Sequence, residues 1–267
     1  MKKSLLFLLP IFLAAKVHYA KVEPIERATI KSTVSGIIMQ ADQKNEGGVL
    51  TQMPFVQIDD VLDRENLKDT EASLKLLKES LQINQEVLEG LKSTLDRKKD
   101  FYQRMNSMET ASQTQKDNAY AAYIGANNQY LGTREKIINL KKQILDLNYK
   151  STMLKDTIAK KHITYPGKYL YKLMVHQGEF ATPGLPLAVV DDISKAKAVV
   201  FLDRDEISGS EGEKIEDKKI YINDQLTDLK IDRLWRVADT QYISAYKVRI
   251  VLPTDYPFSQ LLKIEFK

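Results

Sequence analysis

Histidine, cysteine and paired carboxylates carry most protein chemistry, and this chain is poor in them. Of its 267 residues three are histidine, His18, His162 and His176, and none is cysteine. Without cysteine there can be no thiolate nucleophile, zinc–thiolate centre, disulfide or acylated lipoprotein anchor. Three widely separated histidines give no obvious metal or acid–base cluster. The carboxylate pairs Asp59-Asp60 and Asp191-Asp192 could in principle work as acid and base, but each closes a strand-like run and reads as a solvated turn. Met39, Met53, Met105, Met108, Met153 and Met174 offer soft thioethers, yet their scatter reads as core or gap filling. There is no Gly-rich phosphate loop, Gly-x-Ser-x-Gly elbow, His-Glu-x-x-His or calcium-loop spacing. The expectation is a protein with no catalytic residue, no cofactor and no metal, which acts through its surfaces.

Composition agrees with a folded chain, at 43% hydrophobic and 28% charged residues. Discounting Lys2, Lys3 and Lys16, which lie in an N-terminal segment that reads as removable, takes the formal charge from +4 to +1. A near-neutral protein has no field to hold phosphate backbones, so no nucleic-acid partner is expected. The segment itself joins Lys2-Lys3 to an apolar run at residues 4–15 that contains Pro10. That run falls short of the roughly 20 residues a helix needs to span a bilayer, so residues 1–20 read as a signal peptide for export. A cut after Ala20 puts His18 where a small residue is normally preferred, which leaves an uncleaved anchor as the alternative.

The elements that would position a surface follow from proline and leucine. All eight prolines fall outside residues 55–165, a stretch rich in Leu, Lys, Glu and Gln that favours long helices. Leu67, Leu74, Leu81, Leu88, Leu95 and Tyr102 recur at steps of seven, joined by Leu77, Leu91 and Met105, with Asn84 and Lys98 interrupting the second stripe. After a polar break at residues 107–114, Ala119, Ala126, Thr133, Leu140, Leu147 and Leu154 form a second seam, interleaved with Tyr123, Tyr130, Ile137, Ile144 and Ile158. Two such arms predict an antiparallel coiled-coil hairpin projecting about 65–70 Å. Periodicity alone fits a spacer or dimerisation arm equally well.

The flanks of this hairpin repeat each other. Gly36 and Gly167 are offset by 131, Gly47 and Gly178 again by 131, and Pro54 and Pro186 by 132. Turn glycines and a proline before an alternating strand indicate two copies of one small β unit, each too short to bury a core alone. Beyond them, strand-like runs at residues 198–202, 219–222, 229–237, 243–252 and 261–266 predict a small β-barrel or sandwich, with Trp235 a core or strand-face residue.

This arrangement resembles the periplasmic adaptor, or HlyD-like membrane fusion protein, family. The resemblance implies an elongated α+β fold: signal peptide 1–20, first lipoyl-like half 21–63, coiled-coil hairpin 64–158, second half 159–193 and β-barrel 194–267. It implies an exported periplasmic protein held at the inner membrane by a transporter of RND or ABC type. The remaining expected partners are a TolC-like outer-membrane channel and further copies of the chain, six or so in a ring. The tip is similar to the family's docking pattern of Arg, Leu and Ser followed by Ser-x-x-Glu-x-Asp-x-Ala. Here Met105 and Ser112 stand at the Leu and Ser positions, with Gln115, Asp117 and Ala119 following. Phe101 replaces the Arg, while Arg104, almost one turn on, offers a guanidinium by another route. Together with Met108 these form the expected partner-binding tip, and Ser112 also reads as a helix N-cap. The hairpin replaces the turn on which a lipoyl carrier would present its lysine. After residue 266 no membrane-proximal domain is expected. An exported coiled-coil structural protein without a transport partner is the alternative reading.

Overall fold

The computed structural model describes residues 16–208, 214–235, 237 and 245–267. In chain order the elements are β1 (Val17–Lys21), β2 (Glu23–Lys31), β3 (Gly36–Ala41), β4 (Val56–Ile58), α1 (Val61–Ser107), α2 (Gln113–Lys161), β5 (His162–Ile163), β6 (Tyr169–Leu173), β7 (Phe180–Ala181) and β8 (Pro186–Asp203). They continue with α3 (Arg204–Ser208), β9 (Ile220–Ile222), β10 (Gln225–Leu226), β11 (Ile231–Leu234), β12 (Ala245–Leu252) and β13 (Leu261–Phe266). This is an α+β chain in which a long antiparallel helical hairpin interrupts the strands.

The heptad seams become the hairpin's inner face. α1 and α2 have 47 and 49 residues, about 70 Å each at helical rise. Ala119, Ala126, Ile137 and Leu140 are buried on α2, with Ser151 filling a further seam position. Asn84 does not interrupt the α1 seam: it and Thr70 are the two buried residues of that helix. Each turns its side-chain donor back onto its own helix, Asn84 Nδ2 to the Ser80 carbonyl and Thr70 Oγ1 to the Asn66 carbonyl, both at 2.7 Å. That internal bond lets a polar group sit in a seam without a partner from the other arm.

The repeated flanks fold as one unit. In the first, β3 pairs β4 with Ile38 opposite Ile58 and Gln40 opposite Gln57, across a bulge. In the second, β6 pairs β8 with Leu170 opposite Val190 and Lys172 opposite Val189, across the equivalent bulge. Every one of these positions is shifted by 132, so the repeat preserves register as well as residues. The halves also clasp each other: Gly47 N–H donates to the Leu170 carbonyl at 2.9 Å, and Gly178 N–H to the Ile38 carbonyl at 2.8 Å. Gly47 and Gly178 hold φ of 78° and 91°, where a side chain would be strained. At Gly36 the constraint is space, since an added Cβ would lie 2.6 Å from Ile58 Cγ2. One core joins Ile38, Phe55 and Ile58 to Leu170, Leu187 and Val190.

The second core belongs to the barrel-like unit, with Val200, Leu202, Ile220, Ile250, Leu252, Leu262 and Ile264 at its centre. Its sheets run β1-β13-β9-β10 and β11-β12-β8-β2. β8 is continuous over 18 residues, pairing β6 in the first unit and β12 in the second, so no break falls at the expected junction near residue 193.

Several expectations are corrected. Val17–Ala20, assigned to the leader, form most of β1, which pairs β13 over five residues with Ala20 only 3% exposed. The apolar run at 4–15 lies outside the described residues. The carboxylate pairs are not solvated turns: Asp60 and Asp191 are 4% and 2% exposed, and both are ion-paired. Met39, Met53, Met108, Met153 and Met174 are exposed rather than core residues.

Candidate functional site

The hairpin tip gathers all seven residues singled out in the sequence. Phe101, Arg104 and Met105 lie on the last turns of α1, Met108 caps it, and Ser112, Gln115 and Asp117 open α2. The turn between the helices is fixed by local chemistry. Ser112 Oγ accepts from the Gln115 N–H at 3.3 Å, and Gln115 Oε1 accepts from the Ser112 N–H at 2.9 Å. This capping box satisfies two orphan donors at once. Gln113 Nε2 then donates to Asp117 at 2.8 Å along the first turn. Gln115 is thus held by the cap, and Ser112 serves as an N-cap whatever else it does.

The exposed side chains include two large apolar ones beside charged groups such as Arg104 and Asp117. Phe101 is 45% and Met108 50% exposed, whereas Met105 is half-buried in the seam. Beneath them Tyr102 stacks on Tyr123 at 5.9 Å between ring centroids and leans on Tyr120 at 5.2 Å. The sequence reading missed Tyr120, because it lies off the heptad stripe. The tip therefore presents a capped end with exposed Phe101 and Met108 beside Arg104.

The base of the hairpin holds the tip's direction. Asp60 Oδ2 accepts from Arg64 Nε at 2.7 Å and lies 2.8 Å from His162 Nε2, joining the start of α1 to the end of α2. That ring nitrogen also lies 2.9 Å from the Arg64 guanidinium, so it donates to Asp60 only in the form that carries a proton there. Burial works against the Asp60 anion, but the bonds from His162 and Arg64 outweigh it and hold the carboxyl below its ordinary range. Lys161 pairs with Asp63 and donates to the Asp59 carbonyl, locking the other side.

Of the ion pairs at the second carboxylate pair, Arg27–Asp191 joins the two β units. Arg27 grips Asp191 through two bonds of 2.8 Å and lies 4.0 Å over the Tyr171 ring. Lys168 donates to Asp192 at 2.6 Å, and this bond, with those from Ser194, holds the Asp192 carboxyl far below the usual carboxylate range. The cleft there, about 520 Å³, includes Lys21, Glu23, Arg27, Tyr171 and Asp191 in its walls, with Arg27 and Asp191 paired to each other. Among the described residues no group of three or more potential ligands is placed to hold a metal ion. Among the same residues no helix is long and apolar enough to cross a membrane.

No protein-family model and no curated protein matches the sequence. Solved structures do match the fold. The crystal structure of MacA from Actinobacillus actinomycetemcomitans superposes with a TM-score of 0.68 at 16% identity, over 94% of this chain and 78% of that one. A MacA-MexA chimera containing the Pseudomonas aeruginosa MexA alpha-hairpin domain gives 0.56 at 16% identity, over 95% and 81%. The membrane fusion protein Spr0693 from Streptococcus pneumoniae R6 gives 0.51 at 7% identity, over 95% and 99%. At these identities the shared property is the fold: this chain has the MacA-like architecture of β units with an inserted helical hairpin.

Proposed function

We propose that the chain is a periplasmic adaptor of an efflux or secretion system, linking an inner-membrane transporter to a TolC-like outer-membrane channel through its hairpin tip. It acts by assembly, with no chemical step of its own. The observation that carries this reading is the hairpin itself: about 70 Å of paired helix ending in a capped tip with exposed Phe101 and Met108. The fold shared with a membrane fusion protein supports it. Assembly into a ring draws support from a second apolar ladder, outside the seam. Leu131, Ile138 and Leu145 on α2, and Leu76 and Ile83 on α1, are exposed at steps of seven and would be covered by neighbouring copies.

The test is substitution at the tip. Ser112→Arg places a bulky cation in the docking surface and removes an N-cap worth about 1 kcal/mol. Ser112→Asp keeps the cap with the opposite charge. Efflux or secretion is expected to fall in both, with helicity retained at least in Ser112→Asp. Full transport by two folded variants would leave only an exported coiled-coil scaffold.

A further inference from the structure

The end of the barrel farthest from the hairpin carries a feature that channel docking does not use. β8 and β2 set the direction: their paired residues Pro186 and Lys31 lie towards the hairpin base, and β8 ends seventeen residues on at Asp203. Asp203 is paired across the sheet with Ala245, the first residue of β12. Two residues further along β12, about 7 Å from that end, Lys247 accepts the Trp235 backbone N–H on its carbonyl at 3.0 Å. The Trp235 ring has three cations around it: Lys247 Nζ at 5.2 Å, Arg233 Cζ at 5.7 Å and Arg249 Cζ at 5.8 Å. All sit on the outer face, since the alternating Val248 and Ile250 are buried in the core. Arg249 is matched by Asp232 at 2.6 Å. Among the described residues Arg233 and Lys247 form no ion pair, and Val237 beside them is 80% exposed.

The chain enters the barrel at this same end. Lys16 is paired with Asp203, and the apolar run of residues 4–15 stops immediately before it. An indole ringed by cations, at the end of the barrel that in sequence follows an apolar segment, has the chemistry of a membrane interface. Its ring suits the headgroup level, and Arg233 and Lys247, which have no ion pair among the described residues, suit anionic lipid.

We propose that this end of the barrel rests on an anionic lipid surface, with Trp235 at headgroup depth and Arg233 and Lys247 on lipid phosphates. The inference does not depend on the transport reading, because it needs no channel and no transporter. It also gives β1 a mechanical role: hydrogen-bonded to β13, it fixes Lys16 at the same end of the barrel as the lipid-facing patch.

Trp235 is the only tryptophan, so its emission reports on this site alone. The full chain is reconstituted into vesicles of phosphatidylethanolamine and brominated phosphatidylglycerol, and separately into brominated phosphatidylcholine. Vesicle-bound protein is scored by flotation. The expected result is quenching of Trp235 in the anionic vesicles, little in the zwitterionic ones, and relief by salt. Arg233→Gln with Lys247→Gln, leaving the N-terminal run in place, should shift the balance between lipid-contacting and free Trp235 by roughly fivefold per cation. An unquenched Trp235 in anionic vesicles, whether the chain floats or not, overturns the proposal and leaves the patch to a protein partner. Equal quenching in both lipids, or quenching that survives in the double variant, overturns the role of the cations.

Discussion

Removal of the first twenty residues should damage the barrel, whereas removal of the first fifteen should not. β1 supplies an edge strand to β13, and its inward residues are Ala20 and His18. The His18 ring packs edge-on against Phe266 at 6.2 Å between centroids and lies 2.7 Å from Glu206 Oε1. A chain beginning at Lys21 loses these contacts and uncovers part of Leu262 and Ile264, which are fully buried with β1 in place. If about 100 Å² of apolar surface returns to water, the loss is about 2.5 kcal/mol. For a unit of this size each kcal/mol moves Tm by roughly 4–8 °C, so the expected drop is about 10–20 °C. The assay compares thermal melts of chains beginning at Lys16 and Lys21, followed by circular dichroism in the far ultraviolet. Equal melting temperatures would refute the argument that β1 is part of the barrel and restore a cut after Ala20.

Two further outcomes follow from buried polar groups. Asn84→Leu should stabilise the hairpin by about 1–2 kcal/mol, because a seam amide bonded only within its own helix is exchanged for apolar packing. The check is a higher urea midpoint at unchanged slope; a lower midpoint would mean that the seam is built around the amide. Asp60 has a folded pKa below its unfolded one. Its contribution is therefore present above the ordinary carboxylate range and lost as pH falls through the lower, folded value. Asp60→Asn should weaken the hairpin base at neutral pH, by about 1–3 kcal/mol for the two partners left behind, and flatten the acid limb below about pH 4. An acid limb as steep as that of the unchanged protein would assign the effect to another group.

The parts of the fold written in the sequence are those with a period. Leucines at steps of seven placed both helices and nearly all their seam, and the glycine and proline offsets marked two β units that pair in matching register. Asn84 was misread because a side chain's bond to its own helix leaves no trace in a hydrophobic pattern. β1 was hidden for a different reason. Four of its five residues fall within the first twenty, one lysine after the apolar run, and their inward alternation of His18 and Ala20 is too short to separate from a leader. The burial of Asp60 and Asp191 was unreadable because His162 and Arg27, which help to enclose them, lie over a hundred residues away; Arg64, four residues from Asp60, is the local partner. At the tip, sequence located the residues and the Ser112 N-cap, while the reciprocal bond from Gln115 and the exposure of Phe101 and Met108 come from the folded arrangement. The Trp235 patch depends on strands β11 and β12 lying side by side, which spacing alone did not give.

Whether the hairpin tip meets an outer-membrane channel is tested by photo-crosslinking in living cells from a probe at Met108. A second probe at Leu76, on the outer face of the shaft, serves as comparison. Met108 is expected to yield an adduct with an outer-membrane channel protein, weakened by Ser112→Arg, and Leu76 to yield adducts with further copies of this chain. Adducts of Met108 only with the chain itself, or none from a folded and exported protein, would contradict docking at the tip.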